Sequence, residues 1–245
     1  MHVNNIIIKT NDGNLDCSFF ISDIKKNPNV IFYMDAPAIR EELRAMCKRI
    51  VLNGYNVILP NLFYRQGTEN NYPFDQKKYK EDKNELKKMI QTMNQTSNSM
   101  IIDDTHFLLD FLNNNVNNKK VGIVGYCMSG RFVVSCGAIY ASQIQAIASF
   151  YGVDILTDQP DSPHLLANDL EGEIYLGFAE KDIWVPPNKL NKIKDTFTNI
   201  RAISSFEVYP GTDHGFAFPK RNTYVKSAAE THWDKLISLF ERNLK

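Results

Sequence analysis

The sequence has no net charge and no long apolar run, and these absences exclude several classes of protein. Its 245 residues include 28 basic and 28 acidic side chains, so no overall field draws the protein to nucleic acid or to an anionic membrane surface. No stretch approaches the roughly 20 apolar residues that span a bilayer, and the first residues lack the basic start and apolar run of a signal peptide. We therefore expect a cytoplasmic protein without nucleic-acid or membrane partners.

Cysteine is also scarce, and its spacing is informative. The sequence has only four cysteines, and no two of them have the C-x-x-C spacing. All four lie in segments whose patterns predict strand or helix, which argues against a disulfide framework and for a reducing compartment. They are Cys17, Cys47, Cys127 and Cys136.

The pattern of apolar residues predicts an α/β protein. Strand-like and helix-like segments alternate from Val30 onward, which predicts a mostly parallel sheet with helices on both faces. Before it, Ile6–Lys9 and Leu15–Ile21 are joined by a turn that contains Asp12-Gly13, and they predict an antiparallel N-terminal edge. The lysine-rich stretch Phe74–Met93 predicts a solvated helix. With 245 residues and 43% hydrophobic content, we expect a single domain over residues 1–245.

The segment VGIVGYCMSGRFVVSCGA, residues 121–138, indicates a strand, a sharp turn and a helix. A nucleophile elbow holds its nucleophile in such a strained turn and needs small residues two positions before and after it. Gly125 and Ser129 meet this need around Cys127. With Ser129 as the nucleophile, the bulky Arg131 would occupy a flanking position, so Cys127 is favoured. The helix that follows favours a thiolate and leaves the Met128 amide free to bind an oxyanion. The alternative interpretation is a buried cysteine in an ordinary turn.

A thiol used for acyl transfer needs a base and a group that orients the base. Among the five histidines, His214 follows the last predicted strand, and Asp182 follows the strand before it. This is the α/β-hydrolase order of nucleophile, acid and histidine. His164 precedes the acid and is expected on the surface. Three further aspartates after the elbow belong to an irregular segment and are less favoured, namely Asp154, Asp158 and Asp161.

Four motifs together resemble the dienelactone hydrolase family of α/β-hydrolases. They are GYNVILPNLFYR, GYCMSG, KDIWVPP and GTDHGFAFP, and the similarity runs from about Val30 to the C-terminal helix. The resemblance implies an α/β-hydrolase fold, a triad of Cys127, Asp182 and His214, and hydrolysis of an ester or lactone through a thioester. It implies no cofactor and no metal.

The resemblance also implies roles for residues outside the triad. It assigns the oxyanion hole to the backbone amides of Met128 and Ala36. Members of the family carry an acidic residue, usually glutamate, that contacts the resting thiol, and the shorter Asp35 occupies that place here. Family substrates carry a carboxylate held by arginine, for which Arg65 and Arg221 are candidates.

The sequence therefore predicts a cysteine hydrolase of small esters or lactones, with a monomer and a homodimer both compatible with its charge. Two other functions are open. One is a binding or sensing protein on a hydrolase scaffold, motivated by the aspartate at position 35. The other is a metal-dependent hydrolase using Asp182, Asp213 and His214, which is disfavoured because no His-x-x-x-His or comparable ligand spacing is present.

Overall fold

The computed structural model of the chain describes residues 1–22, 27–115 and 120–245. It contains two compact units, Met1–Asn118 and Lys119–Lys245. The single-domain assignment stays a prediction. No helix in the described ranges has the length and apolar character needed to cross a bilayer.

The first unit begins with the predicted antiparallel edge. Strand β1 (His2–Thr10) pairs antiparallel with β2 (Gly13–Ile21), and β2 pairs antiparallel with β4 (Asn56–Pro60). Strand β3 (Asn29–Tyr33) then pairs parallel with β4. The turn between β1 and β2 closes at Gly13, whose φ of +142° only glycine adopts readily.

Three helices belong to the first unit, α1 (Glu41–Leu52), α2 (Lys83–Asn94) and α3 (Asn98–Asn115). The prediction of a helix over Phe74–Met93 is wrong for its first half, where the chain forms turns. Two aspartates explain the late start. Asp75 accepts a hydrogen bond from the Lys77 amide at 2.8 Å, and Asp82 caps α2 through the Asn84 amide at 2.8 Å. Such short side chains favour turns and helix starts over helix interiors.

The second unit is a parallel sheet with helices between its strands. Its strands lie in the order β5 (Val121–Tyr126), β6 (Ile144–Phe150), β7 (Glu173–Lys181) and β8 (Ser204–Asp213), and every neighbouring pair is parallel. The helices are α4 (Gly130–Ile139), α5 (Pro187–Thr198) and α6 (Lys226–Leu244). The predicted α/β class with a mostly parallel sheet is confirmed.

Two glycines of β5 show that helices cover both faces of this sheet. Side chains three positions apart in a strand point to opposite faces. A Cβ atom at Gly122 would lie 2.9 Å from Phe240 and 2.8 Å from Leu244, both in α6. A Cβ atom at Gly125 would lie 2.8 Å from Val133 in α4. Helix α6 therefore packs on one face of β5 and α4 on the other.

Candidate active site

Cys127 lies at the turn between β5 and α4 in a strained conformation. Its φ is +55°, and residues Cys127–Ser129 form a 3-10 turn that leads into the helix. A Cβ atom at Gly125 would lie 2.5 Å from the Ser129 carbonyl oxygen, so the position two residues before the cysteine must be glycine. Ser129 is fully buried with an ordinary helical φ of −83°, whereas Cys127 is partly exposed. Cys127, and not Ser129, is therefore the residue of this turn with the strained backbone and the accessible side chain.

Gly130, at the start of α4, allows the helix to approach the segment after β6. A Cβ atom there would lie 2.2 Å from the Cα of Gly152, which is backbone and cannot rotate away. We expect Gly130→Ala to lower the free energy of unfolding by about 3 kcal/mol through overpacking, measured by urea denaturation. The control is Gly211→Ala, which meets no atom within 4 Å but has a φ of +71°. Strain alone predicts about 1 kcal/mol there. A Gly130→Ala protein as stable as this control would contradict the close-approach argument.

The ends of β7 and β8 bring the predicted acid and histidine together. These parallel strands stay paired as far as Lys181 and Asp213, and the next residues are Asp182 and His214. Strand β8 continues through Pro210 and Gly211 to Asp213. His214 therefore follows the strand directly, and its Nδ1 lies 2.8 Å from Oδ2 of Asp182.

Both side chains of this pair are shielded from water. The Asp182 side chain is 0% exposed and that of His214 is 11% exposed. Oδ1 of Asp182 accepts a hydrogen bond from the Trp184 amide at 2.9 Å, so each carboxylate oxygen has one donor. Because a carboxylate only accepts, Nδ1 of His214 carries a proton, and whenever the imidazole is neutral it presents the lone pair of Nε2.

The surroundings of His214 favour its protonated form. Burial opposes the positive charge, but the negative charge of Cys127 and the hydrogen bond to Asp182 outweigh it and raise the pKa of His214 to about 9. Nε2 is buried and makes no hydrogen bond of ordinary geometry with a described residue. The negative charge of Cys127 is among the groups that favour the protonated imidazole. In unliganded enzymes, catalytic hydrogen bonds are often long or poorly aligned and tighten when the substrate binds.

Two predicted site residues lie in the first unit, after β3. Asp35 is fully buried and Ala36 nearly so. The Asp35 carboxylate receives two hydrogen bonds from the Arg40 guanidinium, at 2.5 and 3.1 Å. Burial works against the charge of Arg40, but Asp35 and Glu42 together raise its pKa. The buried carboxylate at position 35 is therefore balanced by a cation only five residues further along the chain.

The two candidate arginines have different environments. Arg65 donates to both oxygens of Asp104, at 2.8 and 2.9 Å, and its Nε donates to Asp12 at 2.8 Å. These contacts occupy the fork that a substrate carboxylate would need. Arg221 lies seven residues after His214, with its guanidinium against the ring of Phe218 and against Gly215. The roles of both arginines stay predictions.

Sequence reasoning missed several neighbours of the site. Arg40 and Arg131 were not assigned roles, although Arg131 follows the cysteine by four residues. Trp184 and Tyr151 place their rings 6.5 and 5.1 Å from that of His214. The position of Trp184, two residues after the acid, was a signal that could have been used. Within the described residues, no group of three or more histidine, cysteine, aspartate or glutamate side chains is arranged to hold a metal ion.

A parallel sheet with an elbow after one strand, and an acid and a histidine after two later ones, is the arrangement of the α/β-hydrolases. Within that class, the chain belongs to the dienelactone hydrolase family, whose sequence model matches residues 15–244. The family assignment made from the motifs is thus confirmed.

Relatives and solved structures agree with this assignment. A protein of Synechocystis sp. with the provisional name carboxymethylenebutenolidase is 28% identical over 223 residues, which are 89% of this chain and 87% of the relative. A structure provisionally named dienelactone hydrolase, from Klebsiella pneumoniae subsp. pneumoniae, matches with a TM-score of 0.83 and 21% identity over 98% of both chains. The dienelactone hydrolase of Anabaena variabilis matches with a TM-score of 0.72 and 14% identity, over 100% of this chain and 99% of that one. These structures share the fold.

Proposed function

We propose that this protein is a cysteine hydrolase that cleaves small esters or lactones through a thioester on Cys127. The observation that carries the proposal is the buried pair of Asp182 and His214, whose imidazole interacts with a partly exposed cysteine on a strained elbow. A nucleophile, a base and a group that orients the base are the minimum set for acyl transfer. Family membership supports the same reaction.

In the first half of the reaction, the Cys127 sulfur attacks the carbonyl carbon of the substrate. The thiol proton moves to Nε2 of His214 before the attack, which gives a thiolate and an imidazolium, and Asp182 stabilises the imidazolium through Nδ1. The backbone amide of Met128 is the proposed oxyanion donor on the elbow, and one such donor typically contributes about 3 kcal/mol to transition-state stabilisation. The role of Ala36 stays a prediction. Collapse of the tetrahedral intermediate releases the alcohol, which takes its proton from His214.

In the second half, water hydrolyses the thioester. His214, now neutral, removes a proton from the water, and the hydroxyl oxygen attacks the acyl carbon. The sulfur leaves as thiolate and the carboxylic acid departs. For a lactone, alcohol and acid are parts of one molecule, so the ring opens and a single hydroxy acid is released. The role of Asp35 toward the thiol stays a prediction, and its carboxylate is paired with Arg40.

The direct test is to trap the thioester. Purified protein is mixed rapidly with p-nitrophenyl acetate, quenched in acid and analysed by peptide mass spectrometry. We expect a burst of p-nitrophenol equal to the enzyme concentration and an acetyl group on the peptide that contains Cys127. Steady turnover without any acylated cysteine would contradict the mechanism. Tight binding of lactones without turnover would instead support the binding protein.

The pKa of His214 predicts the alkaline limit of activity. A thiolate attacks best while the imidazolium beside it can protonate the leaving group. Because the pKa of His214 is raised from 6.5 to about 9, the imidazolium persists below about pH 9 and is lost above it. We expect kcat/KM for a neutral ester to fall about tenfold per pH unit above that point. The measurement is a pH profile from 6 to 10, corrected for spontaneous ester hydrolysis. A limit near pH 7 would contradict the assignment.

A further inference from the structure

Arg131 lies close to the nucleophile in the chain and in the fold. It is the fourth residue after Cys127 and belongs to the first turn of α4. Side chains in a helix tilt toward its N-terminus, so a long residue in the first turn covers the elbow rather than the far end of the helix. The Arg131 side chain is only 17% exposed, although arginine usually extends into water.

Asp154 and Phe132 are neighbours of the Arg131 guanidinium. Nη1 lies 3.7 Å from Oδ2 of Asp154, and Cζ lies 4.7 Å from the centre of the Phe132 ring. Asp154 has a φ of +55°, so its backbone is strained, as that of Cys127 is. Its side chain is 43% exposed, which means that water screens the carboxylate more than the guanidinium.

The segment that carries Asp154 is bound to the elbow itself. The Val153 amide donates a hydrogen bond to the Cys127 carbonyl oxygen at 3.0 Å. Gly152, which precedes Val153, and Gly130, at the start of α4, approach so closely that neither position accommodates a Cβ atom. The nucleophile, the arginine and the aspartate are therefore held at fixed mutual positions by backbone contacts.

The charges in this group influence one another. Burial lowers the pKa of Arg131, and the negative charges of Asp154, Asp161 and Cys127 oppose that effect. An arginine nevertheless stays protonated in proteins. The attraction between Arg131 and the sulfur is mutual, so the cation that a thiolate stabilises also stabilises the thiolate.

We propose that Arg131 is a positioning residue that acts through Cys127: its charge stabilises the thiolate, and Asp154 sets how much of that charge the sulfur experiences. This inference rests on the proposed function, because it assigns the thiolate as the attacking species. It gives Cys127 a second cation besides His214. It also accounts for a half-buried arginine beside the elbow, where a small apolar residue would otherwise suffice.

The test is the rate at which iodoacetamide alkylates Cys127 at pH 7, which requires no substrate turnover. The other three cysteines are buried, and a Cys127→Ala protein gives the background. We expect Arg131→Gln to slow labelling about tenfold and Arg131→Lys to retain most of the rate, because lysine keeps the charge. Asp154→Asn removes the competing carboxylate, and we expect it to accelerate labelling about threefold. Circular dichroism and thermal midpoints establish that each variant is folded.

Arg131→Gln and Asp154→Asn are expected to change the labelling rate in opposite directions, and this distinguishes an electrostatic role of Arg131 from a packing role. If Arg131 were only a packing residue, breaking its pair from either side would change the labelling rate in the same direction. Equal rates in wild type and a folded Arg131→Gln protein would overturn the inference, and so would slower labelling of Asp154→Asn. Absence of an acyl-enzyme with esters, combined with opposite labelling effects, would reject the hydrolase and leave the role of Arg131 intact.

Discussion

Replacing Cys127 with alanine is expected to abolish ester hydrolysis, with kcat reduced by at least about 10⁴-fold. Without the sulfur there is no nucleophile on the elbow, and no thioester forms. Cys127→Ser is expected to retain a small residual rate, because the hydroxyl occupies the same strained position but is a much weaker acid than a thiol. The measurement is the steady-state rate with p-nitrophenyl acetate over a range of protein concentrations.

A second cysteine on the same helix supplies the matched control. Cys136 is fully buried in α4, nine positions beyond the elbow, so Cys136→Ala removes a thiol without touching the turn. We expect this variant to lose some stability through the small cavity but to keep its kcat. Full activity in Cys127→Ala would refute the nucleophile assignment. An equal loss in both cysteine variants would indicate that activity depends on packing of α4 rather than on the thiol.

The elbow could be predicted from sequence because its requirements are local. A strained turn between strand and helix admits few residue types, and Gly125 and Ser129 satisfy them within five positions. The order of strands was predictable for a similar reason, since apolar runs and amphipathic stretches alternate along the chain. The late start of α2 was not predictable. The stretch is rich in lysine throughout, and its composition does not show that the helix begins only after the capping residue Asp82.

The pairing of distant side chains is what the sequence could not supply. The distance between Asp182 and His214 depends on the register of β7 against β8, which stay paired as far as Lys181 and Asp213. Likewise, Arg65 is a candidate clamp in the sequence, and only the fold shows that Asp104 and Asp12 already occupy its guanidinium. Arg131 was considered only for its size, because its partner Asp154 lies more than 20 residues away and in an irregular segment.

Asp182→Asn is expected to reduce kcat by about 10²- to 10⁴-fold while leaving the fold intact. The reason is the number of acceptors. The two carboxylate oxygens accept from two donors, the Trp184 amide and Nδ1 of His214. Asparagine has one oxygen and one NH₂ group, so it cannot satisfy both donors. If the oxygen stays with Trp184, the NH₂ group faces the imidazole and favours the tautomer with its proton on Nε2, where the base is needed.

The same substitution separates the electrostatic contribution from the geometric one. Asp182 is among the groups that raise the pKa of His214 to about 9, so Asp182→Asn should lower that pKa, measured by NMR titration of the imidazole. Asp213→Asn is the matched control, because this neighbouring carboxylate is exposed, and we expect both kcat and the titration to stay unchanged. A pKa that falls while kcat is preserved would show that Asp182 tunes the charge of His214 without being needed to orient it. A fall in both the pKa of His214 and kcat would show that the buried hydrogen bond from His214 to Asp182 both stabilises the imidazolium and orients the ring.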